Sequence, residues 1–154
     1  MDGEQKFAHS RNLRIGRNSI PFQIYLVTAV TQKRCPVFAD IWAGRELVQV
    51  IKNYQRGAET LCYVVMPDHI HWLFQLNPGY HLSNVIAGVK RNSAYKVNRL
   101  MNRKGSLWQD GFHDRALRQE EDLIAVARYV VANPLRAGLV DKIGDYPLWD
   151  AAWL

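Results

Sequence analysis

The order of elements in this chain predicts an α+β domain: a ferredoxin-like antiparallel sheet with helices on one face and a Tyr-bearing helix near the opposite face. Three observations lead there. Strand-like and helix-like segments alternate as β-α-β-β-α-β, followed by one more helix. The strands Leu61–Met66 and Ile70–Leu76 meet at Pro67-Asp68, with no room for a helix between them, so they form an antiparallel hairpin. In the second of them His69, His71, Leu73 and Gln75 face one way, and Ile70, Trp72, Phe74 and Leu76 the other.

Along the chain, residues 1–21 are polar and basic (Lys6, Arg11, Arg14, Arg17) and read as an arm ahead of a single domain at 22–154. Phe22–Val30, rich in β-branched and aromatic residues, is a first strand, broken by Lys33-Arg34-Cys35-Pro36. Asp40 caps a helix to about Gln55, marked by Ile41, Leu47, Val48 and Ile51, and Gly57 ends it. After the hairpin and the turn Asn77-Pro-Gly-Tyr80, Ser83 caps a long helix to about Arg103. Its apolar stripe is Val85, Ile86, Val89, Val97, Leu100 and Met101. Arg115–Arg118 is a short fourth strand. The last helix spans about Glu120 to Asn133, acidic in its first turn and closed by Pro134.

Bulk properties narrow the function. At 154 residues the chain is long enough to bury a core without staples, and Cys35 and Cys62 stand in no metal-ligand spacing, so they read as reduced thiols. No apolar stretch has the length of a membrane span and the first residues carry no secretory apolar core, which predicts a cytosolic protein with no membrane partner. The net charge of +6 favours a polyanionic partner, nucleic acid first.

The chemistry-bearing residues fall in three groups. His69 and His71 stand side by side on the face opposite the apolar one, close enough to share a divalent metal, although such pairs are often only polar residues on a wetted face. On the last helix Leu123, Ala127, Val130 and Val131 form the buried side. Tyr129 and Asn133, four apart, lie together on its flank, roughly 6 Å between β-carbons. The helices of the first two crossovers use the other sheet face, so this helix is free to bring a phenol and a carboxamide to the imidazoles. A cation there favours the phenolate and withdraws charge from phosphorus, which suits phosphodiester transesterification. Third, Lys96, Arg99 and Arg103 fall at i, i+3, i+7, with Lys90, Arg91 and Ser93 earlier on the same helix. Trp108, Phe112 and His113 interleave with Arg115 and Arg118. Such groups can track phosphates and stack unpaired bases, or equally form a solvated face and a core.

Three runs together resemble a known family: Tyr63-Val-Val-Met-Pro-Asp-His-Ile-His-Trp-Leu73, Leu107-Trp-Gln-Asp-Gly-Phe-His-Asp-Arg-Ala-Leu117 and Tyr129-Val-Val-Ala-Asn-Pro-Leu-Arg-Ala-Gly-Leu139. They are similar to motifs of the REP-associated tyrosine transposases, in the HUH endonuclease superfamily, over about Phe22 to Val140. The resemblance implies that His69 and His71 bind magnesium or manganese. It implies that Tyr129 attacks single-stranded DNA, leaving a 5′-phosphotyrosine link and a free 3′-hydroxyl, at REP-type hairpins in a bacterial nucleoid. It further implies action as a monomer, a homodimer being the alternative. Insertion-sequence relatives carry Gln as third ligand where Asn133 stands here, one methylene shorter; His113 or a water are the alternatives. Two other functions remain open at this point: a non-catalytic nucleic-acid-binding module of the same fold, and a helical partner-binding protein.

Overall fold

The computed structural model describes residues 22–118 and 121–153. The expected basic arm lies outside the described residues, as does the first residue of the last expected helix, Glu120. Nine elements follow in chain order: β1 (Ile24–Val30), α1 (Ile41–Asn53), β2 (Ala58–Met66), β3 (His69–Leu76), α2 (Leu82–Met101), β4 (His113–Ala116), α3 (Leu123–Val131), α4 (Asn133–Arg136) and β5 (Trp149–Ala151). The strands form one sheet in the order β4-β1-β3-β2-β5, every neighbouring pair antiparallel. This is the expected ferredoxin-like core, extended by one edge strand beside β2.

Strand alternation splits the interior into two layers. Ile70, Trp72, Phe74 and Leu76 join Tyr25, Val27 and Ala29 under Leu47, Val50 and Ile51 of α1 and Val85, Ile86, Val89 and Val97 of α2. Each such side chain, taken fully out of water, contributes about 1.5–3 kcal/mol. The opposite face carries a smaller cluster, Cys62, Val64, Met66 and Leu73 with Leu117, Ala151 and Ala127, Val130 and Val131 of α3. The Tyr-bearing helix therefore covers the sheet face that carries His69 and His71. Among the described residues no helix is long and apolar enough to cross a membrane.

Several boundaries differ from the sequence reading for local reasons. Asp40 is the α1 cap as expected, its carboxylate accepting from the amides of Trp42 and Ala43 at 2.8 and 3.3 Å. Ser83 is not a cap: α2 starts at Leu82, and His81 precedes it without a side-chain bond. At the other end Asn102 takes a left-handed conformation (φ 49°), and the amide of Arg103 turns back to the carbonyl of Asn98. Strand β2 begins three residues earlier than expected and carries a register shift between Thr60 and Cys62. The fourth strand is His113–Ala116, not Arg115–Arg118, because its pairing with Tyr25–Thr28 sets its register. Asp122, accepting from Ile124 and Ala125, starts α3; Pro134 does not end the helical run but sits in the first turn of α4. Strand β5 was not legible, having only three residues, paired with Cys62–Val64.

Candidate active site

His69 and His71 occupy alternate positions of β3, so both project from one face, with ring centroids 4.8 Å apart and planes at 83°. Each ring is held by its Nδ1. The Asp68 carboxylate lies 2.6 Å from Nδ1 of His69, and Thr28 Oγ lies 2.9 Å from Nδ1 of His71. Thr28 faces His71 directly across the β1–β3 ladder. Asp68 is itself steadied by Arg34 at 3.0 Å. Burial pulls the Asp68 carboxyl upward, but hydrogen bonds from His69 and Arg34 outweigh it and leave it below the usual carboxylate value. Burial first, then the charges of His69 and Arg136, push His71 down to about 4, so this imidazole is neutral at pH 7.

These features suit a divalent cation. Tethering of Nδ1 leaves both Nε2 atoms without a partner among the described residues. A carboxylate behind the imidazole, as at His69, is how metal-binding histidines are commonly oriented, and the Thr28 hydroxyl fixes the ring of His71 from the same side. A third ligand of the same kinds is lacking: among the described residues no three His, Cys, Asp or Glu side chains cluster. Asn133 lies just beyond α3 on the same face of the sheet. Its Nδ2 donates to the carbonyl of Val130 at 2.7 Å, which leaves the amide oxygen to coordinate. His113 shares that face but sits across Thr28 on β4, two strands from His71 and so roughly 10 Å away along the sheet.

Tyr129 is 67% exposed near the end of α3. Its own carbonyl accepts from Arg136 at 2.6 Å, and the guanidinium carbon of Arg136 stands 3.8 Å from its ring centroid. The charge of Arg136 is also felt at His71, the smallest of the three causes that lower that imidazole. The buried thiol of Cys62 lies in the cluster beneath, pushed up to about 12 by burial and so unsuited to attack.

The basic groups sort less simply. Arg91 and Arg99 are exposed on α2 and Lys96 half-buried, but α2 lies on the sheet face opposite the imidazoles. Ser93 is fully buried, donates to the carbonyl of Lys90 and accepts from Trp108 Nε1 at 3.0 Å, so it has no surface to offer DNA. Trp108, 7% exposed, is an interior residue rather than a stacking platform, and Phe112, half-buried, packs against the same core. Lys90 donates to the carbonyls of Gln109 and Gly111. Arg103, past the end of α2, bonds Asn98 at 2.7 Å and leaves the expected stripe. Arg115 pairs with Glu121 at 2.5 Å, while the Arg118 side chain is exposed.

Thr28, Asp68 and Arg136 were missed in the sequence. Asp68 adjoins His69, a signal that was available. Arg136 stands seven residues after Tyr129, at the end of the separate short helix α4, and it is the turn between the two helices that brings its guanidinium onto the Tyr129 ring. Thr28 had no local signal, because only strand register brings it to His71.

Residues 22–133 match the family described as "Transposase IS200 like". A protein of Haemophilus influenzae, provisionally named a REP-associated tyrosine transposase, is 28% identical over 137 residues, covering 80% of this chain and 77% of that one. The REP-associated tyrosine transposase of Escherichia coli K12 is 28% identical over 93 residues, 60% of this chain and 53% of that one. A solved REP-associated tyrosine transposase bound to a REP hairpin superposes with a TM-score of 0.68 at 23% identity, covering 86% of this chain and 79% of that one.

Proposed function

Because this chain belongs to the IS200-like transposase family, we propose that it is a metal-dependent single-stranded DNA endonuclease and strand transferase acting on REP-type hairpins through a 5′-phosphotyrosine at Tyr129. One observation carries the reading: two imidazoles, each tethered through Nδ1, share a sheet face with the helix that presents an exposed tyrosine. The kinship with REP-associated transposases supports the choice of hairpin substrate.

Nε2 of His69, Nε2 of His71 and the amide oxygen of Asn133 would hold magnesium or manganese. Bound there, the ion supplies Lewis-acid polarisation of the phosphate. Asp68 and Thr28 keep the two rings oriented, and burial keeps His71 unprotonated and able to ligate at pH 7. Tyr129, exposed, is reachable by a strand laid across α3. Its Oη bonds to phosphorus, the bond from phosphorus to the 3′-oxygen breaks, and the phenol proton ends on the departing 3′-hydroxyl. Attack by a 3′-hydroxyl on the tyrosyl phosphodiester reverses the step and joins strands. A module that stacks bases on its sheet is disfavoured, since Tyr25, Trp72 and Phe74 lie beneath α1 and α2.

The test uses labelled single-stranded hairpins with unpaired flanks, manganese and a denaturing gel. Wild-type protein yields a covalent adduct that EDTA suppresses; Tyr129→Phe binds the hairpin with little change and yields none. An adduct that persists in Tyr129→Phe removes Tyr129 from the role, and full cleavage in EDTA removes the metal.

A further inference from the structure

Arg136 has a placement that stability alone does not explain. Its guanidinium lies over an exposed ring, 3.8 Å from the centroid, and spends one N–H on the Tyr129 carbonyl. Stacking of an exposed arginine on an exposed tyrosine gains little. No carboxylate among the described residues lies within ion-pair distance of it, unlike Arg34 and Arg115, which pair with Asp68 and Glu121. An unneutralised cation held against the ring of an exposed tyrosine is favourable once an anion arrives beside that phenol. The planar guanidinium fork matches two phosphate oxygens.

We propose that Arg136 binds the scissile phosphate and orients the nucleophile: its π-face contact and one N–H hold Tyr129, and its remaining N–H groups take the non-bridging oxygens of the phosphodiester under attack. This rests on Tyr129 being the nucleophile. As Oη approaches phosphorus and the 3′-oxygen departs, negative charge on those oxygens is met by donors already in place. Position and charge then come from one residue, on the short helix that follows the one carrying the phenol it serves.

The experiment measures single-turnover adduct formation at saturating protein for wild type, Arg136→Ala and Arg136→Lys. Each is assayed on a normal hairpin strand and on one carrying a methylphosphonate, with one non-bridging oxygen replaced, at the cleaved position. Arg136→Ala is expected to slow attack ~100-fold on the normal strand, in line with loss of one donor to a developing oxyanion. It should cost only a few-fold on the methylphosphonate, while hairpin affinity changes less than ~10-fold. Arg136→Lys, which keeps the charge without the fork, should recover part of the rate and keeps the test open if the alanine variant unfolds. Equal loss on both strands, or a lysine variant as fast as wild type, overturns the proposal. A wild type that forms no Tyr129-dependent adduct instead overturns the functional reading beneath it.

Discussion

His71, half-buried on the sheet, combines a fixed Nδ1 partner, Thr28, with a pKa pushed down to about 4 by burial and by the charges of His69 and Arg136. In the unfolded chain the same ring takes a proton near pH 6.5. Between these values the unfolded chain binds more protons than the native one, so this residue makes stability fall as pH drops from 6.5 towards 4. Above pH 6.5 the ring is neutral in both states and adds no pH dependence; the full loss, on the order of 3 kcal/mol, is reached below pH 4. Urea unfolding of the metal-free protein in EDTA should therefore show a midpoint declining across that window, and His71→Gln should flatten the decline. Parallel wild-type and variant curves from pH 7 to 4 would show that the ring is already solvated in the native state. His69 and His71 were legible as a pair because strand periodicity aligns them. Their unequal environments were not, since Thr28 and Arg136 reach His71 only through strand pairing and helix docking.

At the scale of elements, α3 is the weak part on which the site depends. Nine residues are too few for a helix to persist alone. It is held by Ala127, Val130 and Val131 against β2 and β5, by the Asp122 cap, and by Glu121, which joins Arg115 to the amide of Arg118 at 2.7 Å. Burial pulls the Glu121 carboxyl upward, but hydrogen bonds from Arg115 and Arg118 win and keep it below the usual carboxylate value, so the tie is charged at neutral pH. Asp122→Ala removes two hydrogen bonds to the first turn and should cost about 1 kcal/mol, lowering the melting temperature by roughly 2–4 °C in a chain of this size. Calorimetry checks this, and an unchanged melting temperature would mean the cap is dispensable. The burying face of α3 was readable because 123, 127, 130 and 131 repeat at helical spacing. Its continuation was not: Pro134 is a terminator by rule, yet its fixed φ also suits a first turn, and here α4 uses it so. The Ser83 error has a similar origin, since serine caps helices in general but lies one residue inside this one.

The whole molecule sets a separation that no single segment reveals. The imidazoles and α3 lie on one face of the sheet, while Arg91, Lys96 and Arg99 ride on α2 across the other. A sheet plus a helix of 10–12 Å diameter puts the outer side of α2 roughly 20 Å from the imidazoles, about six base-pair rises of a duplex at 3.4 Å each. No single phosphate can touch both, so a hairpin engaging α2 must carry its unpaired strand round the sheet to reach Tyr129. Affinity and chemistry then become separable. Converting Arg91, Lys96 and Arg99 together to alanine should weaken hairpin binding at low salt. It should also reduce the slope of log affinity against log salt by about 0.9 for each phosphate that these cations neutralise in the wild-type complex. The rate of adduct formation in the fully bound complex should stay within a few-fold of wild type, because none of the three charges stands on the cleavage face. Filter binding across a range of salt concentrations and single-turnover gels at saturating protein measure the two quantities side by side. An unchanged salt slope would place the DNA elsewhere on the surface. A large fall in the saturated rate would mean that the strand runs from α2 to Tyr129 by a shorter route than these two layers allow.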